Sequence, residues 1–200
     1  MKPLILVDGA PIIVNVVRDL IPVASTITIV VSPSNAGFIT SVVEGAFPEQ
    51  RIRYVVQPKA VGVMDAVRRA MPMTHYDVMI VCADNIIPAD TYERVYDGLG
   101  EDKDAALAVK TMPAAEAERF TYFTRKVGLE NIGSVVHEKT PVPEGLDAVF
   151  VWLGPLAFRK GFINTYAGDT ETLSGLIALA ENVQRIEANC ADIGVPEELP

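Results

Sequence analysis

"VMIVCADNIIPAD", Val78–Asp90, carries an apolar run into a small pair, Cys82 and Ala83, and then an acid, Asp84. The run lacks polar alternation, so it predicts a strand over Val78–Cys82 that is covered on both faces. A carboxylate at the carboxyl end of such a strand either caps a helix or faces a ligand in the crevice above the sheet. "NIIP", Asn85–Pro88, gives no helix start directly after it. The ligand-facing reading of Asp84 is therefore preferred, and Asp90 is the expected cap of a helix over Asp90–Leu99.

Outward from this stretch the pattern alternates. Toward the N-terminus, strands are expected over Leu4–Val7, Ile27–Val31 and Ile52–Val56. Helices are expected over Pro11–Leu20, Ser34–Glu44 and Val63–Met71, the first with proline in its opening turn and the second with a serine or asparagine cap. Strand and helix in this rhythm imply right-handed crossovers and a largely parallel sheet covered on both faces. Ligands of such sheets bind beyond the carboxyl ends of the strands, where Asp8, Gln57 and Asp84 fall. After Gly100 the rhythm changes. Strands are expected over Ala105–Val109, Ser134–His137 and Ala148–Leu153, a short helix or loop over Pro113–Arg119, and an amphipathic helix over Thr170–Glu181. The tail from Arg185 reads as a strand, a turn and a short acidic end. No composition break marks a linker, so residues 1–200 are expected to form a single α/β domain, with a nucleotide-binding half over 1–100 and an α+β half over 101–200.

The chain of 200 residues is half apolar and 22% charged, the composition of a globular protein. No apolar run reaches the ~18 residues of a membrane span, and the opening "MKPLILVDGAP" is not a secretory signal, so a cytoplasmic location is expected. The two cysteines, Cys82 and Cys190, lack metal or redox spacing. A net charge of −9 disfavours nucleic acid as a partner. Arg51, Arg53, Lys59, Arg68 and Arg69 cluster in sequence but read best as a solvated face. His75 and His137 have no partner at ligand spacing.

Several stretches, in order, resemble the sugar-phosphate nucleotidyltransferases, whose fold is close to that of the GT-A glycosyltransferases. "KPLILVDGAPIIVNVVRDL" (2–20) resembles the segment leading into the first helix, and "QPKAVGVMDAVRRAM" (57–71) the stretch that holds the base. "VMIVCADN" resembles the strand ending in the metal-binding acid. "VVHEKTPVPEG" (135–145) resembles the turn at the sugar phosphate. "AVFVWLGPLAF" (148–158) and "ETLSGLIALAENV" (171–183) resemble the strand past the sugar and the helix after it. "CADIGVPEEL" (190–199) resembles the closing segment that carries the second metal acid. The resemblance implies a Rossmann-like, mostly parallel sheet of the GT-A-like type. It puts Asp84 and Asp192 on a shared Mg²⁺ (or Mn²⁺), consistent with the oxygen ligands a hard divalent ion takes. It places Leu6, Val7, Asp8, Gly9, Gln57, Gly62 and Val63 at the nucleotide. Glu138, Lys139, Trp152 and Glu171 fall at the sugar, with Lys139 and Glu171 counted beside the two aspartates as catalytic.

The family's glycine-rich loop, which wraps the triphosphate and follows its first strand, has no counterpart ahead of Lys2. Two arrangements fit: Leu4–Val7 serves as the first strand, which is preferred because losing a central strand would open long edges, or that strand is lost. On the first, Lys2 receives no role. Without the loop, stabilisation of a leaving pyrophosphate is reduced, so the first expectation is a glycosyltransferase taking a sugar from a nucleoside-diphosphate sugar to a hydroxyl acceptor. Glu171, Asp169 or Asp147 would then be the base. A sugar-1-phosphate nucleotidyltransferase with a shortened loop is the alternative, and a silent nucleotide-sugar-binding subunit the third reading. The acceptor is not legible, no membrane partner is expected, and self-association into a homo-oligomer stays open.

Overall fold

The computed structural model describes residues 2–71, 75–125 and 134–192. A 3-10 turn over Lys2–Leu4 leads to a small hairpin that pairs β1 (Leu6–Val7) with β2 (Ala10–Pro11). The expected strand over Leu4–Val7 is thus corrected: it is not the first strand of the main sheet. Pro3 sits in the 3-10 turn, and Asp8 and Gly9, with φ of 51° and 77°, fold the chain back at once. Val7 is buried against Ile12 and Val16, while Leu6 stays 66% exposed.

Crossover units follow. α1 (Ile12–Leu20) buries Ile12, Ile13, Val16 and Val17 on one stripe. β3 (Ile27–Val31), α2 (Ala36–Ala46) and β4 (Ile52–Val56) form a unit in which β3 and β4 run parallel, Ile27 opposite Ile52 and Val31 opposite Val56. Asn35 stands at the cap of α2, but its Oδ1 turns back to accept from the Ser32 N–H at 2.8 Å. α3 (Val63–Ala70) leads to β5 (Val78–Ile80), and β6 (Asn85–Ile86) precedes α4 (Asp90–Gly98). Asp90 is not the cap expected of it. Ala89 already has helical φ and ψ, which places Asp90 inside the first turn, where it pairs with Arg94 at 3.3 Å.

The second half supplies β7 (Ala105–Pro113), α5 (Ala114–Ala117), β8 (Thr121–Arg125), β9 (Ser134–Glu138) and β10 (Ala148–Phe158). It continues with α6 (Lys160–Tyr166), α7 (Leu173–Leu179), β11 (Val183–Glu187) and β12 (Ala191–Asp192). β10 is the hub: it pairs antiparallel with β5, β7 and β8, while β9 joins β8 and β11 lies parallel to β7. This six-stranded sheet is therefore parallel at β7–β11 and antiparallel around β10, while β3 and β4 form a separate parallel pair. In β7, Ala106 and Ala108 face α4, with Val95 and Leu99. Leu107 and Val109 face the other way, with Leu156, Ile163 and Leu176. Both faces are covered, which explains why Ala105–Val109 reads as unbroken apolar sequence.

α7 is shorter than the periodicity suggests. Thr172 caps it, its Oγ1 accepting from the Gly175 N–H at 3.0 Å. Beyond its end, Asp104 Oδ2 accepts from the N–H groups of Glu181 and Asn182 at 2.9 and 3.0 Å and turns the chain into β11. Between β3 and β5 lies an apolar cavity of about 860 Å³, flanked by α1 and α3. Among the described residues no helix is long and apolar enough to cross a membrane. The tail beyond Asp192, including its expected acidic end, lies outside the described residues.

Candidate functional site

β3 and β5 end on one rim, because Ala83, after β5, packs into the same cluster as Val31, the last residue of β3. Asp84 emerges there. Its side chain is 36% exposed, and Lys2 Nζ lies 3.6 Å from its Oδ2. β12 pairs antiparallel with β6, setting Asp192 opposite Asn85 and Ala191 opposite Ile86. The backbone of Asp192 therefore reaches the residue next to Asp84, although the two are far apart in sequence. The Asp192 side chain lies outside the described set. Among the described residues no group of three or more His, Cys, Asp or Glu is arranged around a metal position. Two carboxylates suffice for Mg²⁺, which commonly completes its shell with phosphate oxygens and water. Asp84 offers at this rim a hard oxygen donor of the kind such an ion takes.

The end of β4 forms a second wall. The Gln57 N–H continues the ladder by donating to the Val31 carbonyl at 2.8 Å. Its side-chain Nε2 donates to the Gly62 carbonyl at 2.9 Å and to Asp65 Oδ2 at 3.0 Å. Gln57 thus closes the turn ahead of α3, and what it can offer outward is its amide oxygen. Gly62, at φ 102°, adopts a backbone closed to most side chains, and Val63 opens α3 directly after it. Asp65 is held below the usual carboxylate range, first by its hydrogen bond from Arg69 and next by that from Gln57. Asp8 and Gly9 are exposed at the hairpin turn, and Val7 is anchored by Asn15 Nδ2, which donates to its carbonyl at 3.0 Å.

A third group forms where β9 meets α7. Glu138 Oε2 accepts a short hydrogen bond from Ser174 Oγ, and Ser174 Oγ lies 2.9 Å from Thr172 Oγ1. Glu171, exposed, immediately precedes this cap. Lys139 has φ 49°, uncommon for a residue with a Cβ, and its N–H is held by the Phe120 carbonyl at 3.1 Å. Trp152 packs in one cluster with Phe150, Phe123 and Val136, so it shares a sheet face with Glu138, two residues beyond Val136. Its Nε1 donates to the Gly154 carbonyl at 3.2 Å. Arg68 of α3 donates to the carbonyls of Ala167 and Thr170, tying the loop before Glu171 to the N-terminal half. His137 stacks on Tyr122 at 4.6 Å and meets Thr124 Oγ1 at 2.9 Å, a packed strand residue.

The expected residues thus fall into three groups, joined through β10, which packs against β6 and β12. Sequence reasoning missed Lys2 at Asp84, Thr172 and Ser174 at Glu138, and Arg68 at the loop before Glu171. Only Lys2 carried a signal, the Lys-Pro-Leu resemblance.

No protein-family model and no curated sequence matches the chain. Solved structures do. One is a Bacillus anthracis protein described as a glucose-1-phosphate thymidylyltransferase, in complex with sucrose: TM-score 0.78, 18% identity, covering 99% of this chain and 83% of that one. Another is UTP-bound UGPase from Acinetobacter baumannii: TM-score 0.74, 16% identity, 96% and 81% covered. A third is HddC from Yersinia pseudotuberculosis: TM-score 0.73, 16% identity, 98% and 85% covered. At these identities the likeness is one of fold.

Proposed function

We propose that this chain, which has the fold of the sugar-phosphate nucleotidyltransferases, joins a nucleotide to a sugar 1-phosphate. A phosphate oxygen of the sugar phosphate attacks the α-phosphorus of a nucleoside triphosphate, the bond to the β-phosphate breaks, and pyrophosphate leaves. The observation that carries the reading is the return of the chain at Asp192 to the strand end bearing Asp84, with Lys2 beside it. Asp84 and Asp192 would hold Mg²⁺ or Mn²⁺. When bound, the ion supplies charge stabilisation to the phosphate oxygens. Lys2 adds a second positive charge at that rim, and its long pair with Asp84 is weak enough to exchange for a phosphate partner. The Gln57 amide oxygen and the backbone at Gly62 and Val63 meet the base, with Leu6 to Gly9 opposite. Glu138 and Glu171 accept hydrogen bonds from sugar hydroxyls, Lys139 meets the sugar phosphate as a point charge, and Trp152 forms the apolar floor.

The glycosyltransferase expected first from the sequence now stands second, since the named activities of the solved neighbours concern nucleotide-sugar synthesis. The test incubates the protein with Mg²⁺, each nucleoside triphosphate and a panel of sugar 1-phosphates, following pyrophosphate release and product mass. Pyrophosphate together with a nucleoside-diphosphate sugar is the expected result. Release of nucleoside diphosphate from a nucleotide sugar only when a hydroxyl acceptor is added would reverse the order. Metal-dependent binding without turnover of either kind would leave the silent subunit.

A further inference from the structure

Arg68 sits half-buried in the last turn of α3, directly after the buried Val67. Its guanidinium reaches a turn that begins 99 residues further along the chain. Nε donates to the Ala167 carbonyl at 2.8 Å, and Nη2 donates a short hydrogen bond to the Thr170 carbonyl. The two acceptors flank Gly168 and Asp169, so one planar fork closes the whole turn. A lysine, with a single ammonium group, could not hold both carbonyls in that fixed geometry.

Ala167 ends α6, and its carbonyl is among those a helix leaves without an internal partner. A cation there also meets the negative end of the helix. The outer side of the turn is open: Gly168 and Asp169 are exposed, and a Cβ added at Gly168 would meet nothing within 4 Å. On the inner side Thr170 packs toward the first turn of α7, where a Cβ added at Gly175 would lie 3.6 Å from Thr170 Cβ and 3.2 Å from Thr172 Oγ1. Glu171 follows, exposed, and immediately precedes Thr172, whose Oγ1 caps α7 and meets Ser174, the donor to Glu138. Where the Thr170 carbonyl is held therefore sets where the backbone of Glu171 stands.

We infer that Arg68 is a positioning residue of the sugar site: by bridging the Ala167 and Thr170 carbonyls it fixes the backbone from which Glu171 reaches a sugar hydroxyl. It acts through Glu171, without contact to either substrate. The inference rests on the proposed reaction and on Glu171 at the sugar. A turn already held in place lowers the ordering cost of binding. Loss of the tie therefore acts on affinity for the sugar phosphate and leaves the chemistry at the Asp84 rim alone.

Arg68→Ala and Arg68→Lys are compared with the parent protein in Mg²⁺, using the nucleoside triphosphate and the sugar 1-phosphate that the parent turns over best. In Arg68→Ala, KM for the sugar 1-phosphate is expected to rise ~10-fold, with kcat and the KM for the triphosphate within about threefold of the parent. Hydrogen exchange over 167–172 is expected to speed up by ~10-fold or more while β7 keeps its protection. Arg68→Lys keeps the charge and loses the fork, so it should fall between, and it is the variant read should Arg68→Ala not fold. Faster exchange with an unchanged KM would leave Arg68 a structural tie and overturn the inference. So would unchanged exchange over 167–172, a lysine variant equal to the parent, or an equal loss for both substrates. A parent that turns over no sugar 1-phosphate defeats the proposed reaction first and this inference with it. A parent that does, matched by both variants, defeats this inference alone.

Discussion

Asp84 adds little to the fold, because its carboxylate is 36% exposed and its pair with Lys2 spans 3.6 Å, an arrangement worth at most ~1 kcal/mol. Asp84→Asn is therefore expected to keep the melting temperature within ~4 °C of the parent. Metal-dependent pyrophosphate release should fall by ~100-fold or more. Parallel thermal scans and turnover assays check this, and an unchanged rate would remove Asp84 from the metal. Gly154 is the opposite case. It sits in the irregular stretch of β10 at φ 118°, and an added Cβ would lie 2.9 Å from Cys190 Sγ and 3.2 Å from Ala108 Cβ. Gly154→Ala should destabilise by ~2–4 kcal/mol, read from the midpoint of urea unfolding. Burial pushes the Cys190 thiol itself up to about 11 from 9.0. The fold favours the neutral thiol, so that contribution is complete below pH 9.0 and is lost as pH rises from there through about 11. Denaturant unfolding across this window should show the decline, with Cys190→Ala flattening it. The position of Asp84 beyond the end of β5 was legible because an acid ends an apolar run. Lys2 was not, because pairing it with Asp84 requires knowing that Leu4–Val7 leaves the sheet.

At the scale of elements, the sequence was readable where one periodicity ran long enough. β3, β4, α2 and α3 lie close to where apolar spacing put them. β8 escaped because "TYFTR" is short and half polar, and β10 was cut short at Leu153 because Gly154 and Pro155 read as a stop. In the fold that pair forms an irregularity inside a continuing strand. α7 was overextended because amphipathic spacing ignores the Thr172 cap. Thr172→Ala removes the acceptor for the Gly175 N–H and a neighbour of Ser174. It should cost ~1 kcal/mol of stability. It should also raise KM for the sugar phosphate more than it lowers kcat, since Glu138 is held by Ser174. Unfolding curves and steady-state kinetics separate the two effects.

For the whole molecule, the β3–β4 pair and the six-stranded sheet share helices but no ladder among the described residues. In the recombinant chain of 200 residues, native-state hydrogen exchange is expected to show β3 and β4 opening at lower free energy than β7 and β10. Equal protection across both would mean that the halves unfold as one. The fold class was legible from the strand–helix rhythm and the order of the resembling stretches, because both are local in sequence. The cavity between β3 and β5 was not, because a strand's sequence reports that it wants neighbours on both sides and never which of them is present. The approach of Asp192 to Asp84 is visible only in the register of β12 on β6.

That register also imposes an order of manufacture. β6 leaves the ribosome long before β12 exists, and so long-range a pairing forms late and slowly. Until the polypeptide has been made through Asp192, Asp84 stands on its rim without its counterpart. On the metal site proposed above, a nascent chain would hold one acid of the pair, and the centre would be completed only after the closing ribbon has docked.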